Sequence, residues 1–453
     1  MMTVHRIVER KIAEALIEGN GRCVRWSGDG KNLITVDGVS PQDIQPSIVL
    51  LGVDDGHRKA LSPPNPYLAY PTPSPDGKML TYAAGAGFLA ADIYVMPVTQ
   101  GQPRRLTSDG RTIEGLAWTG DTKDIIFSSN RGGLSRLWRI PVSGGSPEQL
   151  SGVGEDSSAP AISSKGNRLA YVHSRFDSNI WRTPGPAGKG RRPEKLIASS
   201  RWDIDAAFSP DGNRIAFGSN RSGTPEIWTS NSDGTSQIQL TSLGGAEAGT
   251  PRWSPDGKNI AFDDRVAGHG DIFVISGDGG SPRRLTTEPF ENNVPSWSRD
   301  GQWIYFSSNR TGSWQIWKTP SQGGAAVQVT KAGGFSAQES VDGKWLYVWQ
   351  EPGTIWRMPV EGGDPVRVLQ GVEIFAFWKI AVNGIYFVDA SITPAVIRFF
   401  DFTTQREKTI SAVDLGYSIP GPQSFDISAD GQWILFTRVD QVDSDIMLVE
   451  NFR

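Results

Sequence analysis

The sequence is short of the residues that usually carry metal or redox chemistry. Of 453 residues one is a cysteine, Cys23, so a disulfide framework and a cysteine zinc cluster are both excluded. The four histidines, His5, His57, His173 and His269, are scattered and leave little for a histidine metal site. Basic residues bring no excess, since 45 against 49 acidic gives a net charge of −4 without a long basic run. That is not the footprint of a nucleic-acid binder. No stretch approaches the roughly eighteen apolar residues that a membrane span needs. The start carries Arg6, Glu9, Arg10, Lys11, Glu14 and Glu18 and so lacks the uncharged core of a secretion signal. The expected location is cytoplasmic, with the periplasm as the alternative if an upstream signal or anchor is missing from this chain.

Glycine and proline are plentiful, 52 and 30 residues. Together they make up about 18% of the chain where about 12% is usual, the mark of a turn-rich protein. With 38% hydrophobic and 10% aromatic residues the chain can bury a large core. One phrase recurs along it: Trp/Phe-Ser-x-Asp-Gly, an apolar alternating run, a polar turn, a second run ending near Ile-Trp, then Gly-Gly and Leu-Thr. The clearest copies are Phe208–Gly212, Trp253–Gly257 and Trp297–Gly301; others centre on Asp29, Asp76, Asp121, Lys165, Asp342, Asn383 and Asp430. Ten units at spacings of 41 to 47 residues cover nearly the whole chain.

Each unit reads as four short antiparallel strands, a to d, with Asp-Gly supplying the positive backbone angles of the a–b turn. Repetition of such sheets at this period predicts an all-β fold, a β-propeller of about ten four-stranded repeats. Ten exceeds the usual four to eight blades, so the expectation is two tandem rings, alternatively one wide ring. The organisation read from the repeats is an N-terminal segment over 1–20, repeats 1–4 over 21–200, and repeats 5–10 over 201–453. The last unit ends after Ser444–Val449, read as its strand c, and leaves an edge to be covered. The candidate cover is Val8–Ala13, as a strand; helical spacing of Val4, Ile7, Val8, Ile12, Ala15 and Leu16 offers a short helix instead.

These phrases resemble the TolB-like, WD-repeat-like propellers of bacteria, over about residues 8 to 453. Ser163–Tyr171, Ser178–Trp181 and Asp440–Arg453 are more narrowly similar to the C-terminal sensor propellers of bacterial winged-helix transcriptional regulators. The resemblance implies a protein-interaction or ligand-sensing module. The DNA-binding domain of such regulators has no counterpart in the ten repeats.

Catalytic patterns are missing. TolB-like propellers also precede peptidase domains with a Gly-x-Ser-x-Gly elbow, and no such pentapeptide occurs; phosphate loops, the dinucleotide glycine pattern and His-Glu-x-x-His are absent too. The expectation is therefore no enzyme, no catalytic residue, no cofactor and no metal. Asp263, Asp264 and Asp271 could hold a hard cation, but Arg265 among them is a competing partner. His269, between glycines, reads as a solvated loop residue, and Cys23 as a small buried hydrophobe. Binding is expected on the face where the b–c and d–a loops emerge, through Trp202, Phe290, Trp314, Arg131, Arg221 and Arg310, with Tyr67 and Tyr70 nearby. The partner would be a protein or a small ligand, with no direct nucleic-acid contact and no membrane span. The competing reading is structural: each arginine pairs within its own hairpin, as Arg221 could with Glu226, and the aromatics pack between blades. The functional alternatives are a lyase or lactonase with its site in the propeller channel, and a periplasmic TolB-type protein.

Overall fold

The computed structural model describes residues 24–37, 46–65, 67–87, 90–99, 101–163, 167–188, 191–244, 247–266, 268–417 and 424–452. Val8–Ala13, Cys23 and Lys165 lie outside them. The described residues form strands and turns and no helix, in eight antiparallel sheets of four strands ordered a to d as in the chain and one larger sheet that joins two repeats through shared strands. The chain divides into two compact units, residues 1–175 with 444–453, and residues 176–443. The division read from the repeats fell at residue 200; the observed passage lies at 175 and again at 443.

Strand b is buried nearly throughout in most sheets, as in Arg214–Ser219 and Asn259–Asp264, because neighbouring sheets cover both of its faces. Strand d is two residues long and mostly exposed in several sheets, and Arg104–Arg105 carries charge along an edge that would otherwise invite pairing. The a–b turn explains the recurring Ser-x-Asp-Gly. The hydroxyls of Ser209, Ser254 and Ser298 each donate to the aspartate two residues on, at 2.6 Å, and accept the amide five residues on, at 2.9 Å. Those aspartates, Asp211, Asp256 and Asp300, are held below the usual carboxylate range, chiefly by the serine hydroxyl. The next residue, glycine, sits near φ +70° in each. The threonine of Leu-Thr has a similar duty. Thr286 donates to Asp271 at 2.9 Å and accepts the Ile272 amide, and Thr107, Thr241 and Thr330 repeat this with Asp92, Glu226 and Gln315. Tryptophans ending strand a tie one sheet to the previous one: Trp253 Nε1 donates to the Ala207 carbonyl and Trp297 Nε1 to that of Arg252.

Each sheet takes its name from the first residue of its strand a. In the second unit the a strands of the Asp203, Ala248, Asn292, Ser336, Trp378 and Phe425 sheets contact one another in that order, and the last returns to the first. This is a closed ring of six sheets. In the first unit the a strands of the Arg25, Tyr67, Ile113 and Ser157 sheets come one after another in succession.

Ten repeats make fewer than ten separate sheets because two of them do not turn. Residues 169–171 and 178–181, expected as a hairpin, are one strand, Leu169–Pro184; Trp433–Val449 likewise runs straight on. Each begins in one unit and ends in the other. The physical reason is the absence of a turn residue. The b–c connections elsewhere carry Gly133, Gly223 or Gly312 at positive φ, whereas residues 172–178 and 437–445 contain neither glycine nor proline. Ser444–Val449 is therefore not strand c of the last repeat. In the six-sheet ring that place belongs to the end of Leu169–Pro184, with Glu194–Ile197 as strand d.

Candidate functional site: the loop face of the six-sheet ring

The strand-b ends at Ser128-Ser129-Asn130-Arg131, Gly218-Ser219-Asn220-Arg221 and Ser307-Ser308-Asn309-Arg310 share one design. Asparagine caps the next chain segment: Asn220 Oδ1 accepts the Trp202 amide at 3.1 Å and Asn309 Oδ1 that of Glu291. Arginine folds back over the rings of its own sheet. Arg131 lies 4.6 Å from Phe127, Arg221 5.2 Å from Trp228 and Arg310 4.6 Å from Trp317. Each also reaches an acceptor: Asp109 at 3.3 Å, Asp203 at 2.5 Å and Asn292 at 2.8 Å respectively. Their side chains are 6%, 17% and 11% exposed, so these cations are clamps within the fold. Arg221 takes Asp203 rather than Glu226, whose carboxylate receives Thr224, Thr241 and the amides of Leu243 and Gly244.

The aromatic residues divide. Phe290 is exposed and lies 5.9 Å from Arg310, so the structure brings these two of the expected residues together. Trp202 is half-buried in the d–a connection. Trp314 stands edge-on to Phe335 at 4.9 Å, and Phe335 to Phe375 at 4.7 Å. Tyr67 and Tyr70 pack against the apolar core of the first unit, to which Arg131 also belongs.

The Ala248 sheet departs from the shared design. Where its neighbours have Ser-Ser-Asn or Gly-Ser-Asn, it has Asp263-Asp264-Arg265. The Arg265 guanidinium is surrounded: Glu247 at 2.6 Å, Glu291 at 3.2 Å, Asn293 at 3.3 Å and Asp263 at 4.0 Å. Glu247 and Glu291 come from d–a connections and were not among the residues expected here. Asp263 also accepts the Thr250 hydroxyl and the Val294 amide, and Asp205 accepts the Thr250 amide at 3.1 Å. Asp205, Thr250 and Val294 occupy equivalent bulges on three successive a strands, all at positive φ. Gly270 permits the close approach of Glu291, since a Cβ there would lie 2.2 Å from Asn293 Oδ1. His269 is not a solvated loop residue; its side chain is mostly buried, 3.2 Å from Asp271.

Burial dominates the electrostatics. It pushes Asp263 up to about 7 against the opposing pull of Arg265. It pushes Asp264 up to about 8, against an Arg265 amide hydrogen bond and with Glu226 adding repulsion. Glu247 and Asp205 are raised for the same first reason. Arg265 is lowered by burial but raised overall by Glu247, Glu291 and Asp263. With the guanidinium at its centre the cluster is no cation cage, and among the described residues no three histidine, cysteine or acidic side chains are arranged so that they could hold a metal ion.

Radially repeated four-stranded antiparallel sheets, six of them closed into a ring, define a β-propeller protein. The chain belongs to the TolB beta propeller domain family, whose model matches residues 22–183 and 235–361. It is 29% identical over 145 residues to a TolB homolog of Chlorobium luteolum, covering 23% of this chain and 33% of that protein. The chain spans about a third of the length of the curated relatives it matches. Among solved structures it aligns with a putative TolB from Agrobacterium tumefaciens at 19% identity, over 75% of this chain and 94% of that one, with a TM-score of 0.31. A puromycin-hydrolyzing peptidase of Mycobacterium tuberculosis aligns at 17% identity, over 69% and 55%, with a TM-score of 0.38.

Proposed function

We propose that this chain is a non-catalytic TolB-type binding propeller that takes a protein partner or small ligand on the loop face of its six-sheet ring. The observation that carries this reading is the Ala248 sheet. Next to Phe290, whose neighbour Glu291 meets Arg265, it replaces the neutral strand-b ending of its neighbours with buried ionisable groups. Clusters of this kind cost stability, and strongly perturbed ionisable groups gather at functional sites. The narrower role, as sensor part of a transcriptional regulator, rests on motif resemblance alone. Family membership supports the periplasmic alternative more than the cytoplasmic expectation, and fractionation of native host cells decides between them.

The test places a photo-crosslinking residue at Phe290 in host cells and compares the adduct in otherwise native protein with that in a Trp202→Ala background. Loss of a loop aromatic removes about 2 kcal/mol from an interface, roughly a thirtyfold weakening. Equal adduct formation in both, with folding intact, would overturn the reading. Ester, lactone and aminoacyl-amide substrates should show no turnover; turnover abolished by Asp263→Asn would favour the channel enzyme instead.

A further inference from the structure

On the opposite face, where the a–b and c–d turns lie, neighbouring sheets meet in grooves. The groove between the Asp203 and Ala248 sheets is filled by Arg214, the first residue of strand b. Its guanidinium lies 4.6 Å from the Trp253 ring and donates to the carbonyl of Gly277 at 3.0 Å, to Asp278 at 2.8 Å and to the Gly257 carbonyl at 3.3 Å. In the first unit the same repeat position is Met79, which packs on the apolar cluster containing Trp118. In the next groove of the ring, between the Ala248 and Asn292 sheets, the position is Asn259. That side chain is too short to reach across, and a cavity of about 480 Å³ remains.

The cavity is lined by the repeat counterparts of the residues that hold Arg214, with a neutral amide in place of the one carboxylate. Trp297 corresponds to Trp253, Ser321 to Gly277, Gln322 to Asp278 and Gly301 to Gly257. Three indoles that open strands b of the ring lie under a cation: Trp303 under Lys318 at 4.8 Å, Trp345 under Arg357 at 4.3 Å and Trp433 under Arg182 at 4.2 Å. Among the described residues none overlies Trp297. The charges at the rim balance. Arg283 and Arg299 face Asp256 and Asp300, and both carboxylates stay ionised because serine hydroxyls and backbone amides hold their pKa low. Arg283 donates to the Ser321 carbonyl at 2.7 Å and uses one of its two lone pairs. With no net charge to select an anion, the uncovered π face and the repeated acceptors decide the guest.

We propose that this groove is a docking pocket for an arginine side chain of a partner protein, whose guanidinium lies over Trp297 as Arg214 lies over Trp253. The full chain, labelled with 5-fluorotryptophan and with the Trp297 resonance assigned from Trp297→Phe, is titrated with N-acetylarginine methylamide, its citrulline analogue and N-acetylaspartate methylamide. The Trp297 fluorine signal should shift saturably with the arginine probe, with the citrulline analogue at least tenfold weaker. Asn259→Arg, which supplies the guanidinium from within, should abolish the shift and raise the melting temperature above that of Asn259→Ala. Asn259→Leu fills the groove without charge and should also abolish it, so a folding failure of the arginine variant does not end the test. An unmoved signal in the native protein, a shift that survives both fillings, or a response to the aspartate probe instead would overturn the proposal. None of these outcomes touches the loop face, which lies at the other end of the strands.

Discussion

Asp264 is fully buried, and one of its carboxylate oxygens meets only the Arg265 amide while the other has no hydrogen-bond partner. A carboxyl held at about 8 in the folded protein, against 3.8 ordinarily, keeps its proton where the unfolded chain gives it up. The folded state therefore binds more protons between about pH 4 and pH 8, and stability falls as the pH rises through that window. Asp264→Asn removes this dependence. Urea unfolding at pH 5 and pH 9 should show the variant gaining on the native protein by more than about 1.4 kcal/mol, the worth of one pKa unit; an equal difference at both would mean that Asp264 ionises freely. Gly270 makes the complementary case. Its replacement by alanine drives a methyl into Asn293 and the Glu291 carboxylate, and should destabilise by about 1 to 3 kcal/mol by chemical denaturation.

At the scale of the strand and turn, the repeated phrases are hydrogen-bond assignments. Thr286→Val keeps the shape of Leu-Thr but strips Asp271 of a donor and the Ile272 amide of its acceptor, inside a buried sheet end. A cost of about 1 to 3 kcal/mol is expected, and a loss under about 0.5 kcal/mol would show that Arg284, which also reaches Asp271, is sufficient alone. The Asp-Gly turn was legible in the sequence, since a turn that recurs once per unit announces its role by its period; the threonine cap recurs as regularly, but its acidic partner lies on another strand of the sheet. What was not legible arises between units. Glu247 and Glu291 meet Arg265 only because successive sheets stack around the ring, and spacing along the chain grouped Arg265 with Asp271 instead. The bulges at Thr250 and Val294 place β-branched residues at positive φ, where composition argues against them. The continuous strands were misread as hairpins because their apolar runs match strands b and c. The missing glycine was the signal, and it is an absence inside an otherwise regular pattern.

For the whole molecule, the two continuous strands decide which residues each unit needs. The Phe425 sheet of the ring takes its strand b from the beginning of Trp433–Val449 and its strand c from the end of Leu169–Pro184. Chain-distant segments thus complete one sheet, so this ring cannot close until residue 433 and beyond are present. The first unit depends in turn on the C-terminal residues. Val449 and Phe452 pack on the cluster of Leu169 and Tyr171, Phe452 donates its amide to Asn167 at 2.5 Å, and Arg139 lies 5.4 Å from the Phe452 ring. Removing residues 444–453 takes those contacts from the first unit while leaving every strand within 176–443 in place. Hydrogen exchange should then rise at Leu169 to Tyr171, while the amides of Ile204, Ile260 and Ile304 in the ring keep their protection. Loss of protection at all of these positions would mean that the two units unfold as one and that the passage of the strands couples them. Unchanged exchange at Leu169 would mean that the C-terminal strand adds nothing to the sheet it joins.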